Sequence, residues 1–256
     1  PKNYESEKKL KEFALESFKK AEEILNKHHK TIAGLIIEPI IQCASGMNYY
    51  HPIYLKKLRA LCSKLDIHFI ADEIAVGFGR TGKMFACQHA GIKPEIMCLS
   101  KGLSGGYLPL AATLVSKKIY QEFLNPDVEK NFLHSHSFTG NPLACSAAVA
   151  TLDYFNKKLS MDKINEKSQL FNQIMVKLTK YNIRNFFNIG MIWRFDLPET
   201  QEPMKFESLA REEGLLIRPI DRCVYIMPPY TSTMSDIKFV VKVLEKIFKK
   251  LQMDIK

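Results

Sequence analysis

Lys101 closes the short apolar run Glu95-Ile-Met-Cys-Leu-Ser100 and is followed at once by Gly102-Leu-Ser-Gly-Gly106. The pattern puts a lysine at the C-terminal end of a buried strand, with glycines leaving room around it. A lysine so placed is costly unless its charge is paired or removed. Asp72 stands 29 positions earlier, at the end of a second apolar run, Ile67-His-Phe-Ile-Ala71. An amine and a carboxylate at two neighbouring strand ends suit pyridoxal phosphate chemistry. The lysine forms a Schiff base and the acid holds the pyridine nitrogen protonated.

Other motifs carry less. Gly77-Phe-Gly79-Arg-Thr-Gly82 fits G-x-G-x-x-G, and Gly77 to Lys83 fits G-x-x-x-x-G-K. A dinucleotide loop opens a helix directly after its strand, whereas here an acidic pair and further residues intervene. A nucleotidase phosphate loop needs Ser or Thr after the lysine, and residue 84 is Met84. His134 and His136 lack a third ligand at metal spacing and read as loop residues. Asp72-Glu73 resembles a metal-holding acidic pair but has no phosphate loop to work with. Glu73 is therefore expected to be structural, paired with a cation such as Arg80. Arg218 follows Gly214-Leu-Leu-Ile217 and precedes Pro219. An arginine at a strand end is shaped to hold a carboxylate by two hydrogen bonds, or a surface ion pair.

The elements that must position these groups show in the periodicity. Leu10, Phe13, Ala14, Phe18, Ala21, Ile24 and Leu25 share one face, so about 4–28 is an amphipathic helix. Strands are expected at 31–37, 67–71, 95–99 and 111–115, with a helix over 53–65 opened by Pro52. Asn141-Pro142 is an N-cap and first-turn proline for a helix reaching about 156. This alternation predicts an α/β fold with a largely parallel sheet. Beyond it come polar helix over 157–185, strand-like 183–197, helix 203–213, strands 215–218 and 223–227, and helix 234–252. Three regions follow: a leading helix over 1–30, a large domain over 31–160, and a small C-terminal α/β domain over 161–256.

With 256 residues and 46% hydrophobic content the chain can bury a sizeable core. No apolar stretch approaches 18 residues, so no membrane span is expected. The start, Pro1-Lys-Asn-Tyr-Glu5, has no initiator Met and no signal-peptide pattern, and reads as the interior of a longer protein. Cys43, Cys62, Cys87, Cys98, Cys145 and Cys223 form no C-x-x-C pair. They read as free thiols in a reducing, cytoplasmic setting. The net charge of +10 is spread over helical segments without a compact basic stripe, so nucleic acid is not an expected partner.

Five stretches occur in the order found in one family. They are Ile36-Ile-Glu38-Pro-Ile40, Ile70-Ala-Asp72 through Gly82, Cys98-Leu-Ser-Lys101-Gly102, His134-Ser-His-Ser137 through Cys145, and the segment of Arg218. Together they resemble the fold-type I, class-III pyridoxal phosphate aminotransferases, the subgroup with ornithine, acetylornithine and GABA aminotransferases. The resemblance implies a mainly parallel cofactor-binding domain, a smaller C-terminal domain and a homodimer. It implies that Lys101 bonds the cofactor and then shuttles a proton, and that Asp72 pairs with the ring nitrogen. Ile74 would pack on a ring face. Ser137, where the family usually has Thr, would bind the cofactor phosphate of the neighbouring subunit, with His136 beside it. Ser135, Arg218 and Tyr225 would face substrate, Arg218 as the carboxylate clamp.

Gly46 through Pro52, Cys98 through Thr113 and Arg218 through Tyr230 are similar to the biotin-pathway members of the family. These use S-adenosylmethionine as amino donor and 8-amino-7-oxononanoate as acceptor. A different donor such as lysine, ornithine-type transamination, or a non-catalytic fragment are the alternatives. The resemblance also implies that the chain corresponds to roughly the C-terminal three-fifths of a family member. The phosphate-binding Gly-Ser loop and the donor-site aromatics would lie in the front part.

Overall fold

A computed structural model describes residues 6–124 and 126–251. Helix α1 (Glu7–His28) opens on Ser6, whose side chain accepts from Lys9 N at 3.2 Å. Glu7 in its first turn and Lys27 and His28 in its last complement the helix dipole. Leu10, Ala14, Phe18 and Leu25 form its buried stripe. The expected start at 4–5 lies outside the described residues. Strand β1 (Gly34–Ile37) is followed by a small hairpin of β2 (Ile41–Gln42) and β3 (Asn48–Tyr49). Helix α2 (Pro52–Lys64) begins at Pro52 and buries Leu55, Leu58, Leu61 and Cys62.

Strands β4 (His68–Asp72), β5 (Ile96–Leu99) and β6 (Ala112–Val115) complete a sheet in the order β1-β4-β5-β6. β1, β4 and β5 run parallel, and their register sets Asp72 opposite Cys98. β6 runs antiparallel to β5. The link from Leu99 to Ala112 is a 3-10 turn and a glycine turn, too short to carry a covering helix back across the sheet. Helix α3 (Lys117–Glu122) follows. In α4 (Pro142–Lys157) the Asn141 side chain accepts from Leu143 N and Ala144 N, at 3.0 and 3.2 Å, as the Asn-Pro pair predicts.

The later part differs from the sequence expectation in three places. Over 157–185 the helix is α5 (Met161–Met175), closed by a 3-10 turn over Val176–Lys180. The strand-like 183–197 is a hairpin of β7 (Arg184–Ile189) and β8 (Ile192–Asp196). It turns at Gly190 (φ 52°), where a Cβ would lie 2.4 Å from Gly82 N. Only glycine lets the hairpin close on the Gly77–Gly82 loop. That loop is therefore a packing surface here, and Met191 N donates to Arg80 O at 2.9 Å.

Residues 215–218 form no strand. After α6 (Pro203–Glu212) Gly214 N and Leu215 N close the helix, reaching Arg211 O at 3.0 Å and Ala210 O at 2.8 Å. Pro219 has no donor, and Ile220 makes one isolated bridge to Cys223. β9 (Cys223–Ile226) then pairs antiparallel with β8. Helix α7 (Met234–Lys250) is capped by Thr233 and Asp236; the expected residue 252 lies outside the described residues.

The first core cluster includes Phe18, Leu55, Phe69 and Val76. The second gathers Phe171, Trp193, Phe195, Phe206 and Phe248. Ile192 and Cys223 pack into the first cluster, so β8 and β9 face both. All six cysteines are free thiols.

Glu73 is fully buried and does not pair with Arg80. Its Oε2 accepts from Ala86 N at 2.8 Å and its Oε1 from Cys87 N at 2.7 Å, capping the 3-10 turn Ala86–Ala90. Arg80 instead donates to Pro228 O at 2.7 Å. Glu73→Ala strands two buried N–H groups and is expected to cost about 2–3 kcal/mol in denaturant unfolding. Burial raises the Glu73 pKa above its usual 4.5, against the two N–H bonds that lower it. A raised folded-state pKa favours folding more as pH falls through it toward 4.5. Relative to Glu73→Gln, the native protein should therefore gain stability over that window; a flat difference would refute the assignment.

Candidate active site

Three parallel strands end at one place. Glu38 follows β1, Asp72 ends β4 with Ile74 two residues on, and Lys101 lies two residues past β5. In open α/β sheets, ligands bind at the carboxyl ends of strands. There the structure has a cavity of about 1440 Å³ whose lining includes Glu38, Ile74, Arg80, Lys101, Tyr225 and Tyr230. The later half of the chain closes it from the other side, with Tyr225 projecting from β9.

Lys101 opens the 3-10 turn Lys101–Ser104 with φ at 42°, a left-handed value unusual for a side-chain-bearing residue. Ser100 Oγ donates to Leu110 O at 2.7 Å, which ties the turn to the returning chain. The Lys101 side chain is exposed to the cavity rather than buried at the strand end as the sequence suggests.

Asp72 Oδ1 accepts from Ile74 N at 3.0 Å, fixing the turn that sends Ile74 to the cavity wall. Glu38 is held by the same kind of local bond: its Oε2 accepts from Cys43 N, and Tyr50 Oη donates to Glu38 O at 2.7 Å. Burial raises the Glu38 pKa, the Cys43 N–H opposes it, Asp72 adds to the rise and Lys101 opposes it. Cys43 feels the same three charges. Burial, and then Glu38, push its thiol up to about 12, so it is no nucleophile at neutral pH. Glu38, Asp72 and Lys101 thus form one electrostatic cluster.

Of the residues singled out in the sequence, Lys101, Ile74 and Tyr225 line the cavity and Asp72 belongs to its charge cluster. Ser135, His136 and Ser137 are exposed and outside the lining. Their loop is shaped locally: His136 N donates to Thr139 Oγ1 at 3.0 Å, and Phe138 N to His136 Nδ1 at 3.1 Å. Arg218 is exposed in coil, outside the lining, two residues before cavity-lining Ile220.

Sequence reasoning gives Glu38 no role beyond its motif, names Arg80 only as a partner for Glu73, and passes over Tyr230. Glu38 had the signal that marked Asp72, an acid just after an apolar run. Arg80 and Tyr230 had none, since their contacts are long-range. The Arg80 guanidinium lies 4.6 Å over the Tyr230 ring.

Known proteins match this arrangement. Residues 1–248 match the family described as aminotransferase class-III. A Helicobacter pylori relative named adenosylmethionine-8-amino-7-oxononanoate aminotransferase is 42% identical over 238 residues, covering 90% of this chain and 55% of the relative. The crystal structure of the enzyme of that name from Methanocaldococcus jannaschii superposes with a TM-score of 0.85 at 34% identity, covering 91% of this chain and 57% of the other. An amine transaminase from an uncultivated Pseudomonas species, solved in its PLP-bound form, superposes at 0.85 with 30% identity, over 94% and 57% of the two chains. The chain spans about half the length of the curated relatives it matches. With strand ends, lysine and acid in place and the match running almost from end to end, the chain belongs to the class-III aminotransferases.

Proposed function

We propose that this chain carries the lysine-bearing part of a pyridoxal phosphate-dependent aminotransferase. The reaction moves an amino group from S-adenosylmethionine to 8-amino-7-oxononanoate, giving 7,8-diaminononanoate for biotin synthesis. The observation that carries the reading is the convergence of Lys101, Ile74 and Asp72 at the ends of adjacent parallel strands beside one cavity. The relatives' names support the substrates.

The residues fit the cofactor: an amine for its aldehyde, an acid for its ring nitrogen, and an aliphatic side chain for a ring face. When bound, pyridoxal phosphate supplies an electron sink for the bonds broken at the substrate carbon. Lys101 Nζ would hold the cofactor covalently and, once released, would serve as the base and acid that moves a proton between carbons. Asp72 keeps the ring nitrogen protonated, and Ile74 restrains the ring. Tyr225, in the lining, and Arg218, exposed two residues before cavity-lining Ile220, would be the partners of the substrate carboxylate.

Ser135, His136 and Ser137 sit away from their own chain's cavity, so in this reading they serve the cavity of a second copy. Ser137 there holds the cofactor phosphate through its hydroxyl and N–H. Support comes from the surface around them: most large exposed apolar side chains lie between Tyr107 and Tyr154, among them Tyr107, Phe132, Leu133, Phe138 and Leu143. Sedimentation giving a monomer of the complete enzyme would count against this. The reading also treats 31–160 as the cofactor-binding domain and 161–256 as the small domain, supported by the core cluster of Phe171, Trp193 and Phe248, whose buried residues all fall within 161–256; limited proteolysis cutting first within either unit would oppose it. A cytoplasmic location is supported by the free thiols. Among the described residues no helix is long and apolar enough to cross a membrane. Cell fractionation tests the location.

The decisive experiment is a visible absorbance spectrum of the purified chain with added pyridoxal phosphate, before and after borohydride. Peptide mapping of the reduced adduct follows. A yellow, reducible species mapped to Lys101 is expected. Label on other lysines, with none on Lys101, refutes the reading. The likeness to an amine transaminase favours a different donor as the second reading. Rates with S-adenosylmethionine, lysine and ornithine, measured on the complete enzyme, separate the two.

A further inference from the structure

Tyr230 sits 152 positions from Phe78 in sequence, yet its hydroxyl donates to Phe78 O at 2.7 Å. Phe78 is 2% exposed and has a left-handed backbone, φ 54°. A non-glycine residue in that region keeps it only where its surroundings hold it. The hydroxyl supplies part of that hold. Burial pushes the Tyr230 phenol up to about 12, so it remains a donor at working pH. Tyr230 is itself fixed. Its ring lies under Arg80 at 4.6 Å and edge-on to Phe155 at 5.9 Å, and its carbonyl accepts from Lys167 Nζ at 2.6 Å.

The Phe78 ring continues the line. A Cβ at Gly102 would lie 3.0 Å from Phe78 Cβ and from Phe78 Cδ2, so ring and turn already touch with no space for a methyl group. Gly102 is the neighbour of Lys101, whose own φ of 42° needs support. Leu103 of the same turn shares a core cluster with Phe78.

We propose that Tyr230 is a positioning residue for Lys101. Its hydroxyl fixes the Phe78 carbonyl, and the Phe78 ring holds Gly102 and so aims the Lys101 amine into the cavity. The segment after β9 thereby sets the pose of an amine on the first sheet. The inference rests on the proposed role of Lys101 for its functional meaning; the mechanical link stands on the contacts alone.

The test uses Tyr230→Phe, which keeps the ring over Arg80 and removes only the hydroxyl. A second variant, Gly102→Ala, forces the turn off the Phe78 ring with Tyr230 intact. Amide hydrogen exchange over 101–106 should speed up about tenfold in both. Acylation of Lys101 by a small reagent should change relative to exposed Lys157, and the borohydride-trapped cofactor fraction on Lys101 should fall about tenfold. Unchanged exchange and labelling at 101–106 in Tyr230→Phe would overturn the proposal, whatever happens to the melting temperature. A drop in melting temperature without any change at Lys101 would overturn it too. If wild type forms no cofactor adduct while exchange at 101–106 still accelerates in both variants, the link is supported and the failure belongs to the assigned function.

Discussion

Lys101→Ala is expected to remove every trace of reducible cofactor adduct from the cavity and, in the complete enzyme, to lower turnover about 10⁴-fold or more. In the proposed function two independent jobs would disappear with one amine, the covalent hold and the proton transfer. Among the described residues no second amine stands ready: Lys101 is the only lysine of the cavity lining there. Loss should therefore be complete, without redistribution to a neighbour. The fold should not notice. The side chain is exposed and the local turn is held by Ser100, Gly102 and Leu103 rather than by the amine. Equal melting temperatures with absent label would locate the defect in chemistry. Near-normal multiple turnover of the alanine variant would end the assignment.

The place of Lys101 and Asp72 at strand ends is legible in the sequence because strand ends are local. An apolar run with a polar residue just after it places that residue at the edge of a sheet, whatever the rest of the chain does. Lys101 and Asp72 both stand out this way, and Glu38 carries the same mark after Leu35-Ile-Ile37. Long-range contacts leave no such mark. Nothing in Pro228-Pro229-Tyr230 announces a hydrogen bond to Phe78. Glu73 was correctly read as structural but given the wrong partner. Opposite charges nearby in sequence suggest a pair, whereas two backbone donors of a 3-10 turn win once the group is fully buried. The apolar Leu215-Leu-Ile217 reads as a strand because composition cannot show that the Leu215 amide is already committed to the end of α6. β2 and β3 hold two residues each, too few for any period to register. The direction of β6 depended on the length and turn content of its connection, which alternation alone does not reveal.

Asp72→Asn should leave the fold and the Lys101 adduct in place while slowing the complete enzyme about 10- to 1000-fold. The estimate follows from the one or more pKa units by which a nearby opposite charge stabilises a protonated nitrogen. Asn is the right replacement because its side-chain oxygen can still accept from Ile74 N, the bond that shapes this turn. Only the negative charge is withdrawn. Glu38 is the other carboxyl of the cluster and the natural competitor for the role. Burial raises its pKa despite the Cys43 N–H, which makes it the poorer partner for a ring cation. Steady-state kinetics of Asp72→Asn beside Glu38→Gln, with melting curves as the control, decides between them. A large loss in the first with a smaller loss in the second places the ring nitrogen at the end of β4. The reverse order would move it toward the end of β1, and with it the whole orientation of the cofactor in the cavity.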